Sequence, residues 1–224
     1  VPLSEALKAF GDIDVAMINP PYSIGSKANT VTRPYPDDIP AEVVIQKGQD
    51  ELDFIASMLH YIKKGGIGIA IVPMSCAGNS GKTLRKEILK YHTLLACMTM
   101  PANLFFDSHV GTATCIMVFK AHVSHDENKA VFFARWQNDG FKVIPHNGRK
   151  DTGEWANIRG QWLDQIDGVA KPNEYMFVRH KIKVSDEALA EAYIKTDYSK
   201  LKEDDFERTL KKYALYKYMN EQGM

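Results

Sequence analysis

Asn19-Pro20-Pro21-Tyr22 sets an amide side chain, rigid carbonyls and an aromatic ring within four residues. The tetrapeptide follows a short apolar run, Asp14-Val15-Ala16-Met17-Ile18, which reads as a buried strand of a parallel sheet. Two consecutive prolines cannot continue that strand's hydrogen-bond ladder, so the chain leaves the sheet at Asn19. In open α/β folds, ligands sit in the crevice at the carboxyl ends of the strands. The plain alternative is a Pro-Pro turn with an asparagine that only caps it. The position directly after a strand favours an active-site edge.

The tetrapeptide resembles the catalytic motif of the amino-methyltransferases, which methylate a planar exocyclic or amide nitrogen using S-adenosylmethionine. The resemblance implies a role for each residue. An aromatic amine such as that of adenine is a poor nucleophile, because its lone pair is delocalised into the ring. The Asn19 side-chain oxygen and the Pro20 carbonyl would each accept one of its hydrogen bonds. That favours a pyramidal nitrogen with its lone pair aimed at the methyl group. Tyr22 would stack on the flipped base, and Asn19 and Pro21 would touch the reactive end of the cofactor.

Further along, residues 50–62 carry Leu52, Ile55, Leu59 and Ile62 at helical spacing, and Lys63-Lys64-Gly65-Gly66 reads as the helix end. Ile67–Pro73 reads as a buried strand, residues 82–91 as a helix and Thr93–Met100 as a third strand. The segment Pro101-Ala102-Asn103-Leu104-Phe105-Phe106 and the strand Gly111-Thr112-Ala113-Thr114-Cys115-Ile116-Met117-Val118-Phe119-Lys120 follow. This order is similar to the DNA adenine methyltransferases of restriction–modification systems, above all the modification subunit of type I systems. The likeness runs from about residue 12 to 122. It implies that the strands ending near Asn19 and Pro73 are parallel neighbours. Thr93–Met100 and Ala113–Lys120 would complete the edge, the latter antiparallel. Phe105 or Phe106 would offer a second stacking face, with a plain core role as the alternative. The implied partners are DNA and separate specificity and restriction subunits.

The family's Gly-rich cofactor loop precedes Asn-Pro-Pro-Tyr, yet the eighteen residues before Asn19 contain Gly11 and no Gly-x-Gly. The expectation is a piece of a longer polypeptide: the carboxyl half of a Rossmann-like α/β methyltransferase sheet with a helical tail, beginning with a helix at Pro2–Phe10. Without the strands that carry the glycine loop the isolated chain is expected to bind the cofactor weakly, and the bared edge of its first strand predicts self-association.

Gly78-Asn79-Ser80-Gly81-Lys82-Thr83 mimics the end of a phosphate-binding loop, but the glycine required five residues before Gly81 is Cys76. Lys82, Arg85 and Lys86 read instead as a solvated helix face. With 224 residues, 45% apolar and 25% charged, the composition is that of an ordinary globular chain of one or two domains. No apolar run is long enough to cross a membrane and no secretory signal is present, which together predict a cytoplasmic setting. Cys76, Cys97 and Cys115 read as buried thiols, and neither they nor the seven histidines have metal-ligand spacing. Zero net charge argues against an autonomous DNA binder and suits a catalytic piece whose target recognition lies elsewhere.

Three regions are expected: a partial catalytic domain at 1–125, a strand- and turn-rich extension at 126–184 with a strand at Ala130–Trp136, and a helical tail at 185–224. The span Ser23–Gly48 reads as a long loop leaving the catalytic motif. The tail reads as two helices, Asp186–Lys195 and Glu203–Asn220, the second suited to packing or subunit contact. The function expected is DNA adenine methylation within a restriction–modification system. Methylation of a protein glutamine or of RNA, and a non-catalytic interaction module of the same fold, are the alternatives.

Overall fold

The computed structural model describes residues 13–22, 50–106, 112–199 and 201–221. The helix expected at Pro2–Phe10 and the loop Ser23–Gly48 lie outside them. In chain order the elements are β1 (Ile13–Ile18), α1 (Asp50–Tyr61), β2 (Ile62–Pro73), α2 (Met74–Ala77), α3 (Lys82–Tyr91), β3 (Thr93–Thr99), β4 (Thr114–Lys120), β5 (Ala130–Arg135), β6 (Phe141–Ile144), β7 (Gly148–Asp151), α4 (Trp155–Asp167), β8 (Phe177–Lys181) and α5 (Glu203–Glu221). They fall into two compact units, residues 1–194 and 195–224. The second holds α5, whose surface carries the ion pairs Arg208–Asp205 and Lys211–Glu207 at 2.8 and 3.2 Å.

The first unit is organised by a six-stranded sheet in the order β1-β2-β4-β3-β5-β8. β1 runs parallel to β2, and β3 parallel to β5. β4 is antiparallel to both its neighbours, and β8 to β5. β1, β2, β3 and β5 therefore all deliver their carboxyl ends to one edge, where α/β sheets place ligands. The strand pair expected from the resemblance, β1 beside β2, is present, as is the antiparallel β4. The sheet does not close at β3 and β4, however, because β5 and β8 extend it. β6 and β7 form a separate two-stranded hairpin.

α1 covers the sheet with Leu52, Ile55 and Leu59, each at most 1% exposed, as their helical spacing predicts. The helix ends at Tyr61, and β2 begins at once. Lys63–Gly66, expected as a helix stop, forms a bulge instead: the register jumps from Ile13↔Ile62 to Val15↔Ile67. Gly65 takes φ +84° there, a conformation that favours glycine. Lys63 pairs with Asp14 across the bulge.

Gly66 sets how closely β1 approaches β2. A Cβ on it would stand 2.6 Å from the Asp14 carbonyl oxygen, and that backbone cannot give without opening the strand pair. A Cβ on Gly68 would meet side-chain tips, those of Leu59, Met58 and Ile62, at 2.6, 2.7 and 3.2 Å. Gly66→Ala is therefore expected to cost about 1–3 kcal/mol, and Gly68→Ala less. Urea unfolding of the two variants checks this, and the reverse ranking would refute backbone crowding as the cause.

Two further expectations are corrected. Arg85 is not on a solvated face: it is 1% exposed, on the inward stripe Leu84-Arg85-Ile88-Leu89 of α3. Its Nη1 donates to the carbonyls of Cys76 (2.8 Å) and Gly78 (2.9 Å), and its Nη2 to that of Asp186 (2.9 Å). The loop 76–81 is thus wound around a guanidinium. The amides of Gly78, Gly81 and Lys82 donate to Met74, Ser75 and Asn79, so they present no open cradle for a phosphate. Asp186–Lys195 is not an α-helix but an extended segment with a single 3-10 turn, Ala190–Ala192. The Ala188 amide bonds the Ala77 carbonyl, Glu191 accepts from Thr99 and pairs with Arg135, and the Tyr193 ring lies 4.5 Å from Phe133. Ala190 and Ile194 are buried as well. At 100° per residue, inward positions so distributed would spread over about 220° of a helix, far more than one face, so tertiary contact overrides the local preference.

His92, between α3 and β3, gives the fold a pH dependence. It is 8% exposed, and its Nδ1 accepts the His122 amide at 3.1 Å. Burial, then the neighbouring His122 and His60, push its pKa down to about 4. The folded state holds His92 neutral, while the unfolded chain takes up a proton near pH 6.5. Stability is therefore full above that pH and falls as pH drops from about 6.5 to 4, by about 3 kcal/mol at most. Unfolding curves across that range check this: His92→Gln should flatten the slope, and an unchanged slope would assign the dependence to other groups.

Candidate active site

β1 delivers Asn19 to the carboxyl edge of the sheet, and the two prolines turn the chain away from it. Asn19 and Pro21 are exposed, Pro20 is buried and Tyr22 is half-buried. The Tyr22 hydroxyl donates to Asn19 Oδ1 at 3.0 Å, so the amide acceptor is engaged by a neutral donor three residues away. Burial, then the nearby Cys115, Cys76 and Glu51, push the Tyr22 phenol up to about 12. It therefore stays a protonated donor at neutral pH. Cys76, Cys97 and Cys115 are buried free thiols, as their surroundings of predicted strands suggested.

The second wall comes from the loop after β3. Pro101 ends that strand, and the Met100 amide bonds the Thr114 carbonyl at 2.9 Å. Turns closed by Leu104 N–Pro101 O (3.0 Å) and Phe106 N–Asn103 O (3.1 Å) shape residues 101–106. They bring the Phe105 ring to 5.6 Å from Tyr22, edge to face at 87°. Phe106 is 48% exposed and makes no ring contact with Tyr22 among the described residues. Of the predicted site residues, Asn19, Tyr22 and Phe105 thus come together and Phe106 stands apart.

Beside this loop, at the carboxyl ends of β3 and β5, lies an open cleft of about 420 Å³ lined in part by Met100, Pro101, Asn103, Trp136 and Gln137. Arg149 of β7 donates from Nη1 to the Leu104 carbonyl at 3.1 Å and pairs through Nη2 with Asp139. Sequence reasoning missed Arg149, Asp139 and the buried Glu51 at the start of α1. Asn138-Asp139-Gly140 announced a turn, and nothing local announced its ionic partner ten residues on.

An exposed asparagine, two prolines and two aromatic rings thus meet at the carboxyl edge of a mixed α/β sheet. The chain belongs to the N-6 DNA methylase family, whose sequence model matches residues 3–222. It is 31% identical over 209 residues to the type II restriction enzyme and methyltransferase RM.BcgI of Heyndrickxia coagulans, covering 92% of this chain. It spans 30% of the length of that relative. Among solved structures, the methyltransferase subunit of a type I restriction–modification system from Streptococcus thermophilus shares the fold. That match has a TM-score of 0.60 at 18% identity and covers 83% of this chain and 39% of that one. A chain of a type I restriction–modification assembly matches with a TM-score of 0.55 at 15% identity, over 97% of this chain and 46% of the other.

Proposed function

We propose that this chain carries the base-binding part of a DNA adenine methyltransferase acting within a restriction–modification system. The observation that supports this best is the meeting of Asn19 and Pro20, as paired acceptors, with Tyr22 and Phe105, as aromatic walls, at the end of β1. An extruded adenine stacks against Tyr22, and Phe105 bounds the pocket at its edge. Its amine replaces the Tyr22 hydroxyl at Asn19 Oδ1 and gives its second hydrogen bond to the Pro20 carbonyl. Both acceptors gain strength as the nitrogen becomes pyramidal and positive, so they act chiefly in the transition state. Phe106 is left as a surface residue near the mouth.

S-adenosylmethionine, when bound, supplies an electrophilic methyl group. The exposed Asn19 and Pro21 fit its reactive end, while among the described residues no strand-to-helix turn forms a Gly-rich cradle for the rest of it. DNA, with specificity and restriction subunits, completes the proposed set of partners. Among the described residues no helix is long and apolar enough to cross a membrane, and the buried thiols suit a reducing cytoplasm. The test is methyl transfer by the complete protein, using radiolabelled cofactor on duplex DNA, on RNA and on a glutamine peptide. Label recovered as N6-methyladenine in DNA is expected; label confined to RNA or peptide would overturn the reading.

A further inference from the structure

We propose that Arg149 is a positioning residue that presets the base pocket by fixing the Leu104–Phe105 peptide plane. The inference rests on the reading of Tyr22 and Phe105 as the walls of that pocket. Its observations come from a part of the fold the proposed reaction does not otherwise use.

The hairpin β6–β7 and the turn before it form one braced body. Asp139 Oδ1 accepts the Phe141 amide at 3.2 Å, and Asn138 Oδ1 accepts the Gly140 amide at 2.9 Å. Thr152 ties in the far end, donating through both its amide and its hydroxyl to the Gly140 carbonyl at 2.8 Å. Arg149 stands on this body with its guanidinium 4.9 Å from the Phe141 ring centroid. The side chains of Arg149 and Asp139 are 11% and 9% exposed. A buried ion pair is a poor device for stability alone, since apolar side chains of similar size serve as well or better. What it supplies here is direction. The guanidinium fork is planar and rigid, so anchoring Nη2 on Asp139 aims Nη1 at the Leu104 carbonyl.

That carbonyl belongs to the peptide bond entering Phe105. Holding its oxygen fixes the plane from which the Phe105 side chain departs, and so the approach of its ring to Tyr22. The Leu104 side chain packs against the apolar cluster that holds Met98, Met100 and Trp136, while its carbonyl is held by the Arg149 guanidinium. One side of residues 101–103 borders the open cleft. Among the described residues, the Arg149 hydrogen bond is the one that reaches 101–106 from another element. The contacts then run unbroken from Asp139 through Arg149, the Leu104 carbonyl, Phe105 and Tyr22 to Asn19.

The test uses Arg149→Met and Arg149→Lys in the complete protein, with three readouts. Aromatic NMR with labelled Phe and Tyr rings reports the Phe105–Tyr22 contact. Fluorescence of 2-aminopurine at the target position reports base extrusion. Isothermal titration reports cofactor affinity. The methionine variant should lose the ring–ring cross-peak and reduce kcat/KM for DNA on the order of 10- to 100-fold, with cofactor affinity unchanged. The lysine variant, which can reach only one partner at a time, should fall between. Where the methionine variant does not fold, Asp139→Asn takes its place, and it too should weaken the cross-peak. An intact cross-peak in the folded variants would overturn the positioning role, whatever the activity. Loss of the cross-peak with normal extrusion and turnover would leave the contact chain standing and instead refute the base pocket itself.

Discussion

Replacing Asn19 with alanine in the complete protein is expected to abolish methyl transfer, by a factor of at least 10²–10³, while cofactor affinity stays close to wild type. Asn19 is exposed at the end of β1, and among the described residues its amide oxygen accepts from the Tyr22 hydroxyl at 3.0 Å. Removing it leaves a half-buried hydroxyl to find water, a modest loss, so the fold should survive. What disappears is an acceptor whose bond strengthens only as the amine nitrogen pyramidalises and gains positive charge. Loss of such a group lowers kcat without a matching rise in KM. Radiolabelled methyl transfer to duplex DNA, paired with calorimetric titration of the cofactor, measures both quantities. Turnover within tenfold of wild type would refute the role.

The second large effect is expected at Tyr22. Tyr22→Ala should weaken capture of the extruded base by roughly 1–3 kcal/mol, the usual worth of one aromatic stack, and it also removes the ring that Phe105 abuts. Tyr22→Phe should remain within a few-fold of wild type, because it keeps both ring contacts. That variant also frees Asn19 Oδ1 from its resident donor, so the incoming amine has nothing to displace. With its phenol pushed up to about 12 by burial and by Cys115, Cys76 and Glu51, Tyr22 should contribute no ionisation to the activity profile below about pH 11. Extrusion measured with 2-aminopurine separates the variants. Equal impairment of the alanine and phenylalanine forms would make the hydroxyl, and not the ring, the working group.

β2, β3, β4 and β5 were legible because apolar runs between turn residues carry their own boundaries, and the pairing of β1 with β2 came from the resemblance. β1, expected as a buried strand, instead has Val15 and Met17 55% and 73% exposed. Asn19 stood out because two prolines after such a run force the chain off the sheet at a ligand-binding edge. Arg85 was misread although its stripe was visible: Leu84, Ile88 and Leu89 mark the inward side of α3, and Arg85 lies on that side. A charge is assigned to solvent by habit until the carbonyls that will solvate it are known. Here those carbonyls come from the loop 76–81 and from Asp186, the latter 101 residues away. Residues 186–195 have a helical composition, but the carboxyl edge of β3 and β5 claims their side chains one by one. β8, Phe-Val-Arg-His-Lys, is too polar to read as a strand and forms at the sheet's edge by pairing with β5. Arg149 had no local signature, since its two partners are fixed only once the hairpin stands beside the loop after β3.

Because β4 enters the sheet against the direction of β2 and β3, the chain that leaves β3 comes back into the sheet at the same edge. The two ends of that excursion are clasped by the Met100–Thr114 hydrogen bond. Its length is therefore decoupled from the register of the sheet, and doubling it adds only about 0.6 kcal/mol of closure entropy. Evolution, or an engineer, can rewrite the loop after β3 by insertion and deletion while the strand that bears Asn19 stays where it is.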